Sequence, residues 1–317
     1  MTSKYSKIIK KIKSENLLSK YLSNHVLGTI LLELPLLGTS PKSLELIRMI
    51  ADVKVVSRIK KKYRKIAHDK ALELNQLNME SKKNNIIWLC WFQGMDEAPL
   101  LVQRCYQSLK KYLSGYEIII ITQENINRYI EFPSFIQEKI DSGQITLTHL
   151  SDLIRLELLT RYGGTWIDAT VFCSGSNIPS YMLDSELFMF QTLRPGLNGH
   201  ARRTSSWFIT AYSHHKILEL TKELLYEYWR SNNKLIDYYL IHDFIELAIE
   251  EYPELWDNVI PFDNGLPHNL FFHLDQPFNE AYYKTFCSIV PFHKLSNKHL
   301  PKEEAGTYYE KIILRGE

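Results

Sequence analysis

Three charged side chains in one short stretch have the types and spacing of a reactive site. The segment SDLIRLELLTRYGGTWIDAT (residues 151–170) carries Asp152 and Arg155 three apart, then Asp168. On a helix that spacing puts Asp152 and Arg155 on one face, with Leu159 and Tyr162 continuing it. Gly163 and Gly164 suit a helix end, where one residue takes left-handed backbone. The next run has β character, so Trp166, Asp168 and Thr170 face one way and Ile167, Ala169 and Val171 the other. A carboxylate ending a strand of an α/β chain lies where open sheets bind ligands. Plainer readings are a turn aspartate capping a backbone amide, and a weak i,i+3 surface ion pair. There is neither a P-loop nor GxGxxG, and the glycine pair follows a helix rather than opening one.

The surrounding elements suit such a site. IIWLCWFQG reads as a buried strand ending in glycine, APLLVQRCYQSLKKYL as an amphipathic helix, and YEIIIIT as a parallel strand covered on both faces. NINRYI, SFIQEKIDSG and a short ITLTHL precede the helix SDLIRLELLTRY and the strand TWIDATVF. Strand and helix alternate at βαβ spacing, so residues 86–175 are expected to form a doubly wound α/β unit. Later, ELFMFQ reads as a strand, HHKILELTKELLYEYWRSN and IDYYLIHDFIELAIEEY as helices, and the rest as a loop-rich tail. Residues 1–80 show apolar spacings of 3 and 4, as at Leu44, Ile47, Ile50 and Val53, with a helix-start signal at SPKS. Polar SKKNN (residues 81–85) looks like a boundary, which divides the chain into a helical extension, 1–80, and a body, 81–317.

The 317 residues are 45% apolar and 23% charged, a globular composition. The net charge of +2 hides an asymmetry: residues 1–70 hold 16 Lys/Arg against 5 Asp/Glu, so the remainder is acidic. A basic arm on an acidic body suggests an anionic partner such as lipid head groups, or else a solvated helical face. The run Lys60–Lys65 comes with no nucleic-acid-binding signature, so nucleic acid is not expected as a partner. Cys90, Cys105, Cys173 and Cys287 form no CxxC pair, which argues against zinc or a disulfide framework and fits a reduced cytoplasmic setting. No signal peptide is seen at the start. The most apolar stretch, VLGTILLELPLLG, is too short to span a bilayer.

The order Asp-x-x-Arg, helix, Gly-Gly, aromatic strand, Asp resembles the GT-A sugar-nucleotide glycosyltransferases. In particular it is similar to the capsular polysaccharide synthesis proteins, the family 32 transferases and the glucosylating clostridial toxins. The motifs cover residues 86–175, with weaker similarity to about 300. The resemblance implies an α/β GT-A fold, a Rossmann-like mixed sheet flanked by helices, behind the N-terminal extension. It implies a retaining transferase that moves galactose or glucose from UDP-galactose or UDP-glucose. The expected acceptor is a polyprenyl-diphosphate-linked saccharide precursor of a capsule repeat unit. The anionic acceptor and the basic arm together suggest a peripheral enzyme on the inner face of the cell membrane.

Residue by residue, the resemblance places Asp152 and Arg155 at the donor sugar and Asp168 at the first position of a metal-binding Asp-x-Asp. It places Trp91 and Gln93 at the base, and Thr122, Gln123 and Asn125 in the nucleotide pocket. In FHKLSNK, His293 becomes a metal ligand and Lys294 or Lys298 a phosphate contact. Thr170 replaces the second aspartate, which leaves Mn²⁺ or Mg²⁺ with one protein carboxylate. Arg202, Arg203, Ser205, Ser206 and Trp207 are read as an acceptor platform, or else as a surface loop leading into a core element. His242 and Asp243 are read as sugar contacts, or else as an ordinary helix face. The remaining histidines show no metal-ligand spacing. A nucleotide-sugar hydrolase and a non-catalytic member of a capsule assembly complex are the alternatives.

Overall fold

A computed structural model describes residues 26–193, 202–298 and 300–316. Helices α1 (Leu27–Leu37) and α2 (Pro41–Gln76) come first. Then follow β1 (Ile86–Cys90), α3 (Leu100–Tyr112), β2 (Glu117–Ile121), α4 (Ile126–Tyr129), α5 (Ser134–Asp141), α6 (Leu147–Tyr162), β3 (Gly164–Ile167) and β4 (Val171–Cys173). The second half holds α7 (Ser180–Asp184), β5 (Leu187–Gln191), β6 (Thr204–Ala211), α8 (Lys216–Ser231), α9 (Leu240–Glu251), α10 (Pro253–Trp256), α11 (Gly265–His273), α12 (Glu280–Ile289), β7 (Phe292–Lys294) and a π-helix, Tyr309–Arg315.

Five strands form one mixed sheet in the order β2-β1-β3-β6-β5. β1 pairs in parallel with β2 and β3, whereas β6 runs antiparallel between β3 and β5. This is the mixed α/β sheet flanked by helices that was expected. Strand alternation splits the core: Trp88 faces a cluster with α2, α6, α8 and α9, while Ile87 and Leu89 face one with α3 and α7. Helix α6 is buried on nearly all sides, Asp152 and Arg155 included. A separate two-stranded sheet joins β4 to β7.

The glycine pair has a geometric cause. Gly163 (φ 70°) and Gly164 (φ 96°) both take left-handed backbone. A Cβ on Gly164 would stand 2.4 Å from the Ile86 carbonyl oxygen. Only glycine lets α6 end and β3 pair with β1 within two residues.

Several expected elements differ. TWIDATVF is two strands in two sheets, with Asp168–Thr170 as the turn between them, closed by the Val171 amide donating to the Asp168 carbonyl at 3.0 Å. Part of ITLTHL belongs to α6, because Thr146 caps it by accepting from the His149 amide. TSSWFITA is a strand with every residue buried, and the loop-rich tail contains α11, α12 and β7.

The boundary near residue 80 is not a break in the core. The buried stripe Ile47, Ala51, Val55, Ile59, Tyr63, Ala67 of α2 packs on α8 and α9. Lys60 and Arg64 reach Glu250 at 2.6 and 3.3 Å, and His68 lies 3.0 Å from Glu251. Part of the basic charge thus meets the acidic body itself. Residues 1–25 of the basic arm lie outside the described residues.

Candidate functional site

Asp168 stands where the main sheet hands over to the small one. Its amide donates to the Trp207 carbonyl at 2.8 Å, which ties the turn to β6. Oδ1 accepts from Trp166 Nε1 at 3.0 Å and from Arg155 Nη2 at 3.4 Å. Oδ2 faces Lys294 Nζ at 3.4 Å. The carboxylate is held by side chains rather than capping a backbone amide, and its side chain keeps 28% exposure.

Behind it, Arg155 lies over the Trp166 ring, 4.9 Å from the centroid. It donates to the Ser206 carbonyl at 3.0 Å and to Ser151 Oγ at 3.1 Å, and meets Asp152 Oδ1 at 3.2 Å. His149 Nε2 accepts from Trp229 Nε1 at 2.9 Å, so its proton sits on Nδ1, which faces Asp152 Oδ2 at 3.3 Å. Asp152 and Arg155 are 7% and 5% exposed. Breaking a buried pair costs about 3–5 kcal/mol, against about 0–1 for a surface pair. The surface-pair reading therefore fails here.

Two cavities meet at this carboxylate. The smaller, about 340 Å³, is lined by Trp91, Asp152, Arg155, Trp166 and Thr170 among others. The larger, about 590 Å³, is lined by Trp207, Tyr239, Asn264, His268 and Lys294, with Met49, Asp52 and Val53 from α2. Asp168, Ser206, Tyr238 and His242 line both. Trp91 Nε1, Arg155 Nε and His242 Nδ1 are buried without a protein partner. Burial pulls the His242 imidazole down to about 4, so it is neutral at pH 7. In the larger cavity, Arg202 reaches Asp243 at 2.6 Å, Asp52 at 3.4 Å and also Asp237, beneath the Tyr239 ring. Burial raises the Asp243 carboxyl to about 7 against the pull of Arg202.

The model of the capsular polysaccharide synthesis proteins matches residues 41–312, most of the chain. The chain belongs to the capsular polysaccharide synthesis protein family. The match begins at the first residue of α2, inside the segment read from sequence as an extension. An O-glycosyltransferase, PaGT, of Phomopsis amygdali is 32% identical over 99 residues, 28% of this chain and 24% of that protein. The O-glycosyltransferase braB of Annulohypoxylon truncatum is 31% identical over 101 residues, 29% and 24% of the two chains. The match thus spans about a quarter of either relative's length. The structure of PaToxG Glycosyltransferase aligns over 62% of this chain and 83% of its own at 14% identity, with a TM-score of 0.36.

In this capsular family member the structure gathers Asp152, Arg155, Asp168, Trp91, Ser206, Trp207, His242 and Lys294 around the two cavities, with Arg202 on the wall of the larger. Other sequence-proposed residues lie elsewhere. Gln93, Thr122, Gln123 and Asn125 line neither cavity; Asn125 instead closes the turn after β2 through the Thr122 amide and the Ile120 carbonyl. Arg203 is clamped to Glu246 at 2.9 Å, and Lys298 is exposed outside both cavities. Asp243 is fully buried behind Arg202. The arginines expected to face a pyrophosphate face carboxylates. Tyr238, Tyr239 and Asn264, in loops, and His268, on α11, escaped the sequence reading, because single aromatic and amide residues carry no spacing signal.

His293 is the clearest departure. On β7 it alternates with Lys294, so it points away from Asp168 and shares a hydrogen bond between Nε2 and Ser174 Oγ at 2.9 Å. Burial depresses its pKa to about 3. Thr170 Oγ1 accepts from Lys294 Nζ at 2.6 Å, where a second aspartate would offer charge. Among the described residues no three His, Cys, Asp or Glu side chains group as a metal site. These residues do not make a cation site of their own.

Proposed function

We propose that the protein is a retaining glycosyltransferase, moving galactose or glucose from a UDP-sugar to a lipid-linked saccharide. The observation that carries this reading is the pair of cavities with Asp168 in their common wall. Two substrates that exchange a group need two chambers and one meeting point, whereas a hydrolase needs one chamber.

The smaller cavity is assigned to the donor. Trp91, Ser151, Arg155 and Thr170 line it, and their donor groups are of the kind that the many acceptor oxygens of a sugar nucleotide require. The larger cavity, with Trp207, Tyr239 and the hydroxyls of Thr204, Ser205 and Ser206, suits a saccharide that stacks and hydrogen-bonds. Breaking the bond from the anomeric carbon to phosphate leaves a cationic sugar and an anionic UDP. Asp168, in the shared wall and already oriented by Trp166, Arg155 and Lys294, faces the first. Asp152 is engaged by Arg155 and His149, so no free carboxylate stands ready as a covalent nucleophile. The acceptor oxygen bonds to the anomeric carbon on the face UDP leaves, and its proton passes to the departing phosphate. Were Mn²⁺ or Mg²⁺ used, Asp168 would be the protein carboxylate to hold it, and the ion would neutralise charge on the diphosphate.

The test is a panel of UDP-, GDP- and TDP-sugars, reading nucleotide release with and without EDTA and with and without a lipid-linked acceptor. UDP-hexose turnover that rises strongly with the acceptor is expected. Turnover indifferent to any acceptor would make the protein a hydrolase.

A further inference from the structure

Helix α1 is inside out. Gly28, Leu31, Leu32, Pro35 and Leu36 recur at helical spacings of 3 and 4, and all are exposed: Leu31 by 60%, Leu32 by 72% and Leu36 by 80%. Its one charge, Glu33, is half-buried with Thr29, Ile30 and Leu34. A surface helix in water normally shows the opposite polarity, and a contiguous exposed apolar stripe marks an interaction face.

The stripe stands next to the larger cavity. α1 folds back along the first half of α2, with Lys54 Nζ donating to Thr29 Oγ1 and Ser43 Oγ to the Leu37 carbonyl at 2.6 Å. On α2, Leu46, Met49 and Val53 repeat at spacings of 3 and 4. Leu46 and Val53 are 48% and 45% exposed, and Met49 and Val53 line the cavity. Exposed apolar side chains thus occur on both helices of the pair, and those of α2 reach the cavity.

Charge identifies the occupant. Lys42 and Arg48 are exposed on this half of α2, beside Glu45 and Asp52, so the excess of cations comes from the sequence before α1. The sequence leading into α1 carries Lys4, Lys7, Lys10, Lys11, Lys13 and Lys20 against Glu15. Apolar stripe and cations together match an interfacial helix on an anionic bilayer, where the apolar face sinks about 5–10 Å into the headgroup boundary.

We infer that α1 docks the protein on an anionic lipid bilayer through Leu31, Leu32 and Leu36, which holds the mouth of the larger cavity at the membrane surface. The docking stands on these residues alone; its use for a lipid-linked acceptor rests on the function proposed above. The bilayer would then present the acceptor to Trp207 and Tyr239 from the side of α2.

The test uses the full chain with L31S, L32S and L36S combined, sedimented with phosphatidylglycerol–phosphatidylcholine vesicles. Vesicle partitioning should fall by about tenfold or more, with UDP-sugar hydrolysis unchanged. Separately, an L32W variant should shift its emission to the blue on adding anionic vesicles. Three outcomes overturn the docking: undiminished partitioning of the triple variant, an L32W emission indifferent to vesicles, or a leucine-dependent dimer without lipid. Lack of UDP-sugar turnover by the wild type would instead overturn the function proposed above and leave the vesicle result standing.

Discussion

The two cavities are built in opposite ways. The smaller takes most of its lining, Asp152, Arg155, Trp166, Asp168 and Thr170 included, from the stretch 148–170, locked by a helix end, two glycines and a turn, with Trp91, Ser206, Tyr238 and His242 added from elsewhere. The larger is assembled from α2, β6, the loop before α9, α11 and β7. A site made mostly from one stretch keeps most of its geometry as long as that stretch folds. A site made from five segments can change its lining one segment at a time. The first arrangement suits a common donor chemistry and the second a variable acceptor.

That contrast can be broken experimentally. The largest effect is expected from Asp168→Asn in the shared wall. Nucleotide release should drop about 10²–10³-fold with and without acceptor, as for removal of one group aimed at the reacting charge. A loss confined to the acceptor-dependent rate would move Asp168 out of the donor site. Next, Trp207→Ala should raise the acceptor KM about tenfold while acceptor-free hydrolysis stays within about twofold. Equal losses in both rates would show that the cavities are not separate.

The smallest effect concerns pH. His215 and His242 are depressed to about 4 and His293 to about 3, all by burial. In the unfolded chain these rings take protons near pH 6.5, and in the folded one they do not, so stability falls as pH drops from 6.5 toward 4. Each contributes roughly 1 kcal/mol per pH unit in that window. Asp243, raised to about 7, works in the other direction and offsets one of the three. Thermal midpoints should therefore fall between pH 6.5 and 5, and His242→Asn should flatten the slope. A midpoint that rises on acidification would contradict the buried neutral rings.

The pairing of Asp152 with Arg155, the break at Gly163–Gly164 and the placing of Asp168 beside them were legible because local spacing carries them. β1 and β2 were legible as short apolar runs and α8 from periodicity. β6 was not, because a strand buried on both faces loses its alternation, and TSSWFITA mixes polar and aromatic residues. The single strand expected across Asp168 fails for a related reason: alternation cannot tell which residue leaves one sheet for another. His293 and Lys294 are neighbours in sequence with opposite fates, since a strand sends adjacent side chains to opposite faces. Arg202 looked like an anion receptor because its three carboxylate partners lie far away in the chain.

The short pairing of β4 with β7 sets an order of events during synthesis. Val171–Cys173 must wait for Phe292–Lys294, and Lys294 reaches Thr170 across 124 residues of chain. Such distant closure comes late in folding. A nascent chain can complete the helix and glycine turn long before Asp168 gains its lysine neighbour. The surroundings of Asp168 are therefore finished only when most of the polypeptide has been made, so an incomplete chain carries the carboxylate with Arg155 beside it and without Lys294.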